Sequence, residues 1–476
     1  MFAALSRVAT RSRIAGLMVL VGAGALLWHV LACVESPMAF SPDGKNLAFV
    51  TMEPFELKGT HLAGPHCFRL FVASGGKDLR EIEQSTDAML TAPAYSPDGK
   101  QICYLRIPLL TEEQARLRAQ EEQARRAAWN AANLPTSRPG ADNDQWRETK
   151  KLPAVPDVGR TAEALRSLAI TGQTPAELVL RNAADYSLVK AVRIDLPAPN
   201  VPGRKNEDGG WLDPYVHIRP VYSADGQWIY LCVGKVLLAL NPETMVRQVL
   251  AAPADQPALT PDRRRLAYVD GQDGSLVALV QTDGTKATYV RWPGRGVVQP
   301  VAWCDNETLA LAGQTPEPPS VQTRASAHEK RLESISIFFM RSDGTLLSDR
   351  RIDLPPAKEA PKDMTISPDG RHAAACFPER LVFLDSGGKL LGEAHVPPGE
   401  PRKDELPNAF AQPTFAPDGK SLAVKLMTND GAYRTTAVVF FSPEGKELSR
   451  VAIPRIAAGT TRPASASASA PAPAQP

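Results

Sequence analysis

One pattern recurs along the chain and constrains its fold more than any other feature. It reads AFSPDGKNLAFV from Ala39, AYSPDGKQICYL from Ala94, VYSADGQWIYLC from Val221, ALTPDRRRLAYV from Ala258, TISPDGRHAAAC from Thr365 and TFAPDGKSLAVK from Thr414. A degenerate copy, VAWCDNETLALA from Val301, fills the gap between the fourth and fifth, which makes seven. Each copy predicts a hairpin: apolar residues lead in, a Ser-Pro-Asp-Gly turn follows, and an apolar run leads out. Pro42, Pro97, Pro368 and Pro417 preset φ at the second turn position. Gly44, Gly99, Gly226, Gly370 and Gly419 supply the positive φ that closes such a loop. With Asp43, Asp98, Asp225, Asp369 and Asp418 before them, these pairs are assigned a structural role in the turns.

The outgoing runs, such as Leu47 to Val50 and Ile229 to Cys232, are nearly continuous in apolar residues, as suits strands covered on both faces. After most hairpins a second strand pair follows around another tight turn, as in FRLFVASGGKDLREIE from Phe68 and AVVFFSPEGKELSRVAIP from Ala437. Four strands per repeat, seven times, predict an all-β fold: a seven-bladed β-propeller of four-stranded antiparallel blades over residues 38–454.

At these residues the chain resembles the TolB-type propeller repeat, a WD40-like repeat marked by the SPDGK turn. The resemblance spans nearly all of 38–454 and implies the fold far more specifically than any function. The α/β domain that precedes the propeller of TolB itself is not expected here, nor is a hydrolase domain after residue 454.

Residues 1–34 are expected to be a signal anchor or lipoprotein signal. Arg7, Arg11 and Arg13 precede an apolar run from Ile14 to Val34, long enough to span a bilayer with the arginines on the cytoplasmic side. Val30-Leu31-Ala32-Cys33 also partly matches a bacterial lipobox, which would place a lipid on Cys33. An uncleaved span, a lipoprotein and ordinary secretion all stay open. Each predicts a membrane-anchored or secreted protein outside the cytoplasm, in the periplasm or at the cell surface. In that compartment six cysteines could pair, but Cys103, Cys232 and Cys376 fall inside apolar strand segments and are expected to be buried thiols. The Ala/Ser/Pro-rich residues 455–476 are expected to be a disordered tail. A formal net charge of +2 and the lack of a basic run exclude the electrostatic footprint of a nucleic-acid binder.

Strand alternation sorts the connections onto two faces. Turns between the first and second and the third and fourth strands share one face, and all are short. The other face receives the long second-to-third loops and the links between blades. An insertion at about 109–175 in blade 2 is the longest, with a helix expected from Thr111 to Asn133 and a second from Thr161 to Thr171. It is either a solvated arm or a partner-binding one. Trp129 and Trp146 in this insertion, with Trp211, Tyr215 and His217 in the link before blade 3, are the candidate partner contacts. Gly419-Lys420-Ser421 and the Ser-Gly-Gly-Lys turns at Ser74 and Ser386 superficially match phosphate-loop and acyl-enzyme motifs but are assigned to hairpins.

No catalytic residue, metal site or cofactor is assigned. The favoured reading is a non-catalytic, membrane-tethered platform holding an envelope protein, a peptide or a cell-envelope ligand on the loop face. The alternative is a propeller lyase or hydrolase with an axial site. Inner strands read as MAF, PAY, PVY, PAL, PVAW, MTI and PTF carry no charge, which favours the platform.

Overall fold

The computed structural model describes residues 37–456 apart from 55–65, 109–172 (save two isolated positions), 198–217, 315–334, 398–407 and stretches of one to five residues between strands. The strands form seven antiparallel sheets at 39–85, 88–197, 221–251, 254–291, 295–353, 363–395 and 409–452, numbered here as blades 1 to 7. Within each sheet the strands follow one another in chain order from the axis outward. The seven copies of the hairpin therefore head seven blades, the degenerate one at Val301 included. In blade 2 the inner strand is broken into Ala88–Leu90 and Ala94–Tyr95, both paired with Gln101–Pro108.

The first turn of each blade is held by side chains as well as by glycine. In blade 1 the Ser41 hydroxyl donates to Asp43 Oδ1 at 2.6 Å, and that oxygen also accepts from the Lys45 amide. Ser41 Oγ in turn accepts from the Asn46 amide at 2.9 Å. Ser96/Asp98, Ser223/Asp225, Thr260/Asp262 and Ser367/Asp369 repeat this network. The hydroxyl thus matters as much as the Asp-Gly pair. Blade 7 has Ala416 in the hydroxyl position and keeps only the carboxylate bond from the Lys420 amide. In blade 5 the turn closes one residue sooner, from the Cys304 amide to the Thr308 carbonyl, with Asp305 accepting from Glu307 and Thr308. Ala416→Ser should therefore gain about 1 kcal/mol by completing the network, measurable as a shift in the urea midpoint; an unchanged midpoint would show the hydroxyl to be idle.

Consecutive turns also lean on one another around the axis. A Cβ added to Gly99 would meet Pro42 Cδ at 3.4 Å, and one on Gly226 would meet Pro97 Cδ at 3.6 Å. Both glycines sit at φ near +70°, so the same residue serves backbone conformation and close packing.

Period-two alternation directs each blade's side chains to its two neighbours. In blade 1, Ala48, Val50, Leu70 and Val72 pack toward blade 2, whereas Leu47, Phe49, Phe71 and Ala73 join Val438 and Phe440 of blade 7. That second cluster closes the ring with four intact strands on each side and none exchanged between them.

Among the described residues no helix is long and apolar enough to cross a membrane. The expected anchor with Cys33, the expected helices of the blade 2 insertion save Gln120 and Ala124, which are helical, and the 457–476 part of the tail fall outside the described residues. The cysteines Cys67, Cys103, Cys232, Cys304 and Cys376 are free thiols. Burial first of all pushes Cys67 up to about 11 and Cys103 up to about 12.

Candidate functional site

Both faces can be traced to strand order. On one face stand the serine-aspartate turns and the short outer turns. On the other, residues 55–65 and 109–172 join second to third strands, and 198–217 and 398–407 join one blade to the next. Trp129, Trp146, Trp211, Tyr215 and His217 lie on these connections and outside the described residues.

The turn face holds a cavity of about 650 Å³ between blades 1 and 2, lined by Ser41, Asp43, Asp98, Lys100, Asn182 and Val189 among others. Its carboxylates are committed to turn bonds. The Ser41 hydroxyl first, then the Lys45 amide, hold Asp43 below the ordinary carboxylate range. Ser96 and Lys100 do the same for Asp98, and Ser223 and Gln227 for Asp225. For Asp262 and Asp369 burial acts in the raising direction, and the hydroxyl and amide bonds outweigh it. A depressed native pKa stabilises the fold above the unfolded value of 3.8 and loses that contribution as pH falls through the native value. Stability should therefore drop steeply below about pH 3.8, with proton uptake on unfolding, and Asp43→Asn or Asp98→Asn should flatten the slope. Urea titrations between about pH 5 and 2 check this; equal slopes in parent and variants would refute it.

Toward the loop face the seam between blades 1 and 7 turns from apolar to ionic. Glu53 and Arg69 of blade 1 and Arg434 and Lys425 of blade 7 are all buried. Arg69 Nη1 donates to Glu53 Oε1 at 2.8 Å and to the Pro454 carbonyl at 2.6 Å, while its other nitrogens hold Glu81. Arg434 Nη1 lies 3.8 Å from the same Glu53 oxygen, and Lys425 Nζ donates to the Val50 carbonyl at 2.7 Å. A second ionic group bridges blades 1 and 2, where Glu83 accepts from Tyr104 and from Arg181 at 2.7 Å and pairs with Arg106 at 3.2 Å. Both groups tie blades together, although Glu83 Oε1 and Arg106 Nε meet as an ion pair without an aligned hydrogen bond.

At the axis the inner strands extend beyond the short motifs and carry more polarity than MTI or PAL suggest. The blade 6 inner strand begins at Asp363, whose Oδ2 accepts from the amide of Gln412 in blade 7 at 3.1 Å. Gln412 itself has a φ of +54°. In blade 4 Arg263 takes the place of the turn glycine at φ +56° and donates to the Tyr222 carbonyl of blade 3 at 3.3 Å. Left-handed φ at a residue with a Cβ costs on the order of 1 kcal/mol, so both positions are held by tertiary structure. Arg219, three residues before Tyr222, is exposed although Ile218 and Pro220 beside it are buried. Desolvation first, and then the charge of Arg263, lower its pKa from the ordinary arginine value. Among the described residues no group of three His, Cys, Asp or Glu side chains could hold a metal ion.

The chain matches no protein-family model and no curated protein. Solved structures align with it at low identity. The dihydro-heme d1 dehydrogenase NirN in complex with DHE aligns over 88% of this chain and 66% of its own, at 13% identity and a TM-score of 0.41. A eukaryotic initiation factor aligns over 88% of both chains, at 11% identity and 0.37. The hydrazine synthase of Kuenenia stuttgartiensis aligns over 49% of this chain and 65% of its own, at 16% identity and 0.35. The chain thus spans about two thirds of the length of two of these neighbours. The propeller assignment itself stands on the seven sheets described above.

Proposed function

We propose that this chain is a non-catalytic binding platform, tethered to a membrane by its N-terminal segment and facing out of the cytoplasm. The observation that carries the reading is the sorting of connections. One face of the ring is trimmed to hydrogen-bonded turns, and every long connection gathers on the other, where a rigid scaffold can present loops to a protein or peptide. The arginine-flanked apolar run of residues 14–34 supports the tether, and the resemblance of the SPDG turns to TolB-type repeats supports an envelope location. With the tether close to blade 1, the loop face would look toward the bilayer.

Recovery of partners from solubilised membranes, with the full chain and with a deletion of 112–160, tests both halves. The full chain should sediment with membranes and retain an envelope protein that the deletion loses. Recovery of the full chain in the soluble cytoplasmic fraction would overturn the reading, as would an identical partner set for both forms. Cys33→Ala separates the two anchors, since it abolishes lipid labelling only if the cysteine is acylated.

A further inference from the structure

Six of the seven seams separate blades that are consecutive in the chain. The seventh brings together blades 7 and 1, which exchange no strand among the described residues. A short segment after the last strand lies across that seam. The outer strand of blade 7 ends at Ala452, and the Ile453 amide adds one more ladder bond, to the Thr436 carbonyl at 2.8 Å. Pro454 has no N–H with which to continue the ladder, so the pairing stops there. From this point the main chain turns to blade 1. The Pro454 carbonyl accepts from Arg69 Nη1 at 2.6 Å, and the Ile456 amide faces Glu53 Oε2 at 3.5 Å. Just before them, the Ile453 carbonyl accepts from Arg434 Nη1 at 3.4 Å.

The segment is thus captured by its backbone. Pro454 and Arg455 are exposed and Ile456 is half-buried, whereas Glu53, Arg69 and Arg434, which hold them, are buried. Only Ile453 gives a side chain to the core, in one cluster with Met38 and Phe49 of blade 1 and Val438 of blade 7. Glu53 uses both oxygens, Oε1 for Arg69 and Oε2 toward Ile456. Arg69 divides its donors among Glu53, Glu81 and the Pro454 carbonyl. Hydrogen bonds between main-chain groups and charged side chains are stronger than neutral ones. A segment beyond the last strand still frays more readily than a strand paired on both sides. We propose that residues 453–456 are a strap that locks blade 7 onto blade 1, and that its release is the first step by which the ring opens. At the closing seam the strap takes the place of the chain connectivity present at the other six. This device goes beyond the platform reading and does not depend on the tether or on a bound partner.

Amide exchange of the full chain, followed by mass spectrometry, tests the strap. Ile456→Pro removes the amide that faces Glu53. It should speed exchange in 46–54 and 433–441 by about fivefold to tenfold and leave 229–233 and 265–270 unchanged. Ile456→Ala keeps that amide and should exchange as the parent does. Arg69→Lys keeps a positive charge beside Glu53 but loses the fork that reaches Pro454. It should speed exchange in the same two strands by about tenfold or more. Because both changes act through one strap, adding Ile456→Pro to Arg69→Lys should bring less than about a twofold further rise. Parental exchange in Ile456→Pro, equal effects of proline and alanine, a rise spread evenly over all blades, or effects of the two changes that simply multiply would each overturn the proposal.

Discussion

Glu53→Ala should destabilise the ring by about 3–5 kcal/mol, the scale expected when one member of a buried ionic cluster is removed and its partners stay behind. Glu53 lies within reach of two buried arginines, Arg69 at 2.8 Å and Arg434 at 3.8 Å, and its loss leaves both without their shared carboxylate. Because the three residues belong to blades 1 and 7, the effect should concentrate at ring closure. Amide exchange in 46–54 and 433–441 should rise more than in blades 3 to 5. Lys45→Ala is the matched control. Its pair with Asp43 spans 3.6 Å between exposed side chains and should be worth less than about 1 kcal/mol. Urea melts of the two variants distinguish the seam from ordinary surface charge, and a Glu53→Ala loss as small as that of Lys45→Ala would refute the role given to the cluster.

Phe383→Ala should cost about 3–5 kcal/mol, because the ring is fully buried between blades 6 and 7 and packs on Phe441 with centroids 5.5 Å apart. The informative measurement pairs it with Gly445→Ala. A Cβ at Gly445 would lie 2.7 Å from Phe383 Cδ2, at a φ of +86°. Alone, Gly445→Ala should cost about 1–3 kcal/mol through overpacking and backbone strain. With Phe383 already truncated, the overpacking vanishes and only the backbone cost of about 1 kcal/mol is left. The double variant should therefore be more stable than the sum of the singles by about 1 kcal/mol or more. Strict additivity would mean that the glycine is required by conformation alone.

The architecture was legible because it rests on local chemistry. Proline, aspartate and glycine at fixed offsets dictate one turn, and seven such turns with their trailing strands count the blades. The degenerate turn at Cys304 was still recognisable because Asp305 keeps the carboxylate that accepts amides. The hydroxyl of Ser41 and its counterparts was read as turn composition, and its bond to the aspartate emerged only in the structure. The ionic seam was hidden for a different reason. Glu53 and Arg69 sit on paired strands of blade 1, while Lys425 and Arg434 come from the far end of the chain, so nothing local marks them as neighbours. Their trace in the sequence is a charge set inside an apolar run, as in VKL and FRL, on the parity that faces the closing seam. Arg263 was visible in TPDRRR only as a damaged turn. The packing of the turns of blades 1, 2 and 3 against the proline of the blade before each had no mark in the sequence. The aromatic loop residues chosen as contacts belong to connections whose placement no turn rule dictates.

A ring built from seven whole blades, with no strand shared between the first and the last, has no preferred starting point. Residues 38 and 453 belong to one packed cluster, so a short linker could join them while the chain is cut between two other blades. Such a circular permutant would contain the same seven sheets and the same seams, with no strand divided. The order of blades along the gene is then a matter of history rather than of mechanics.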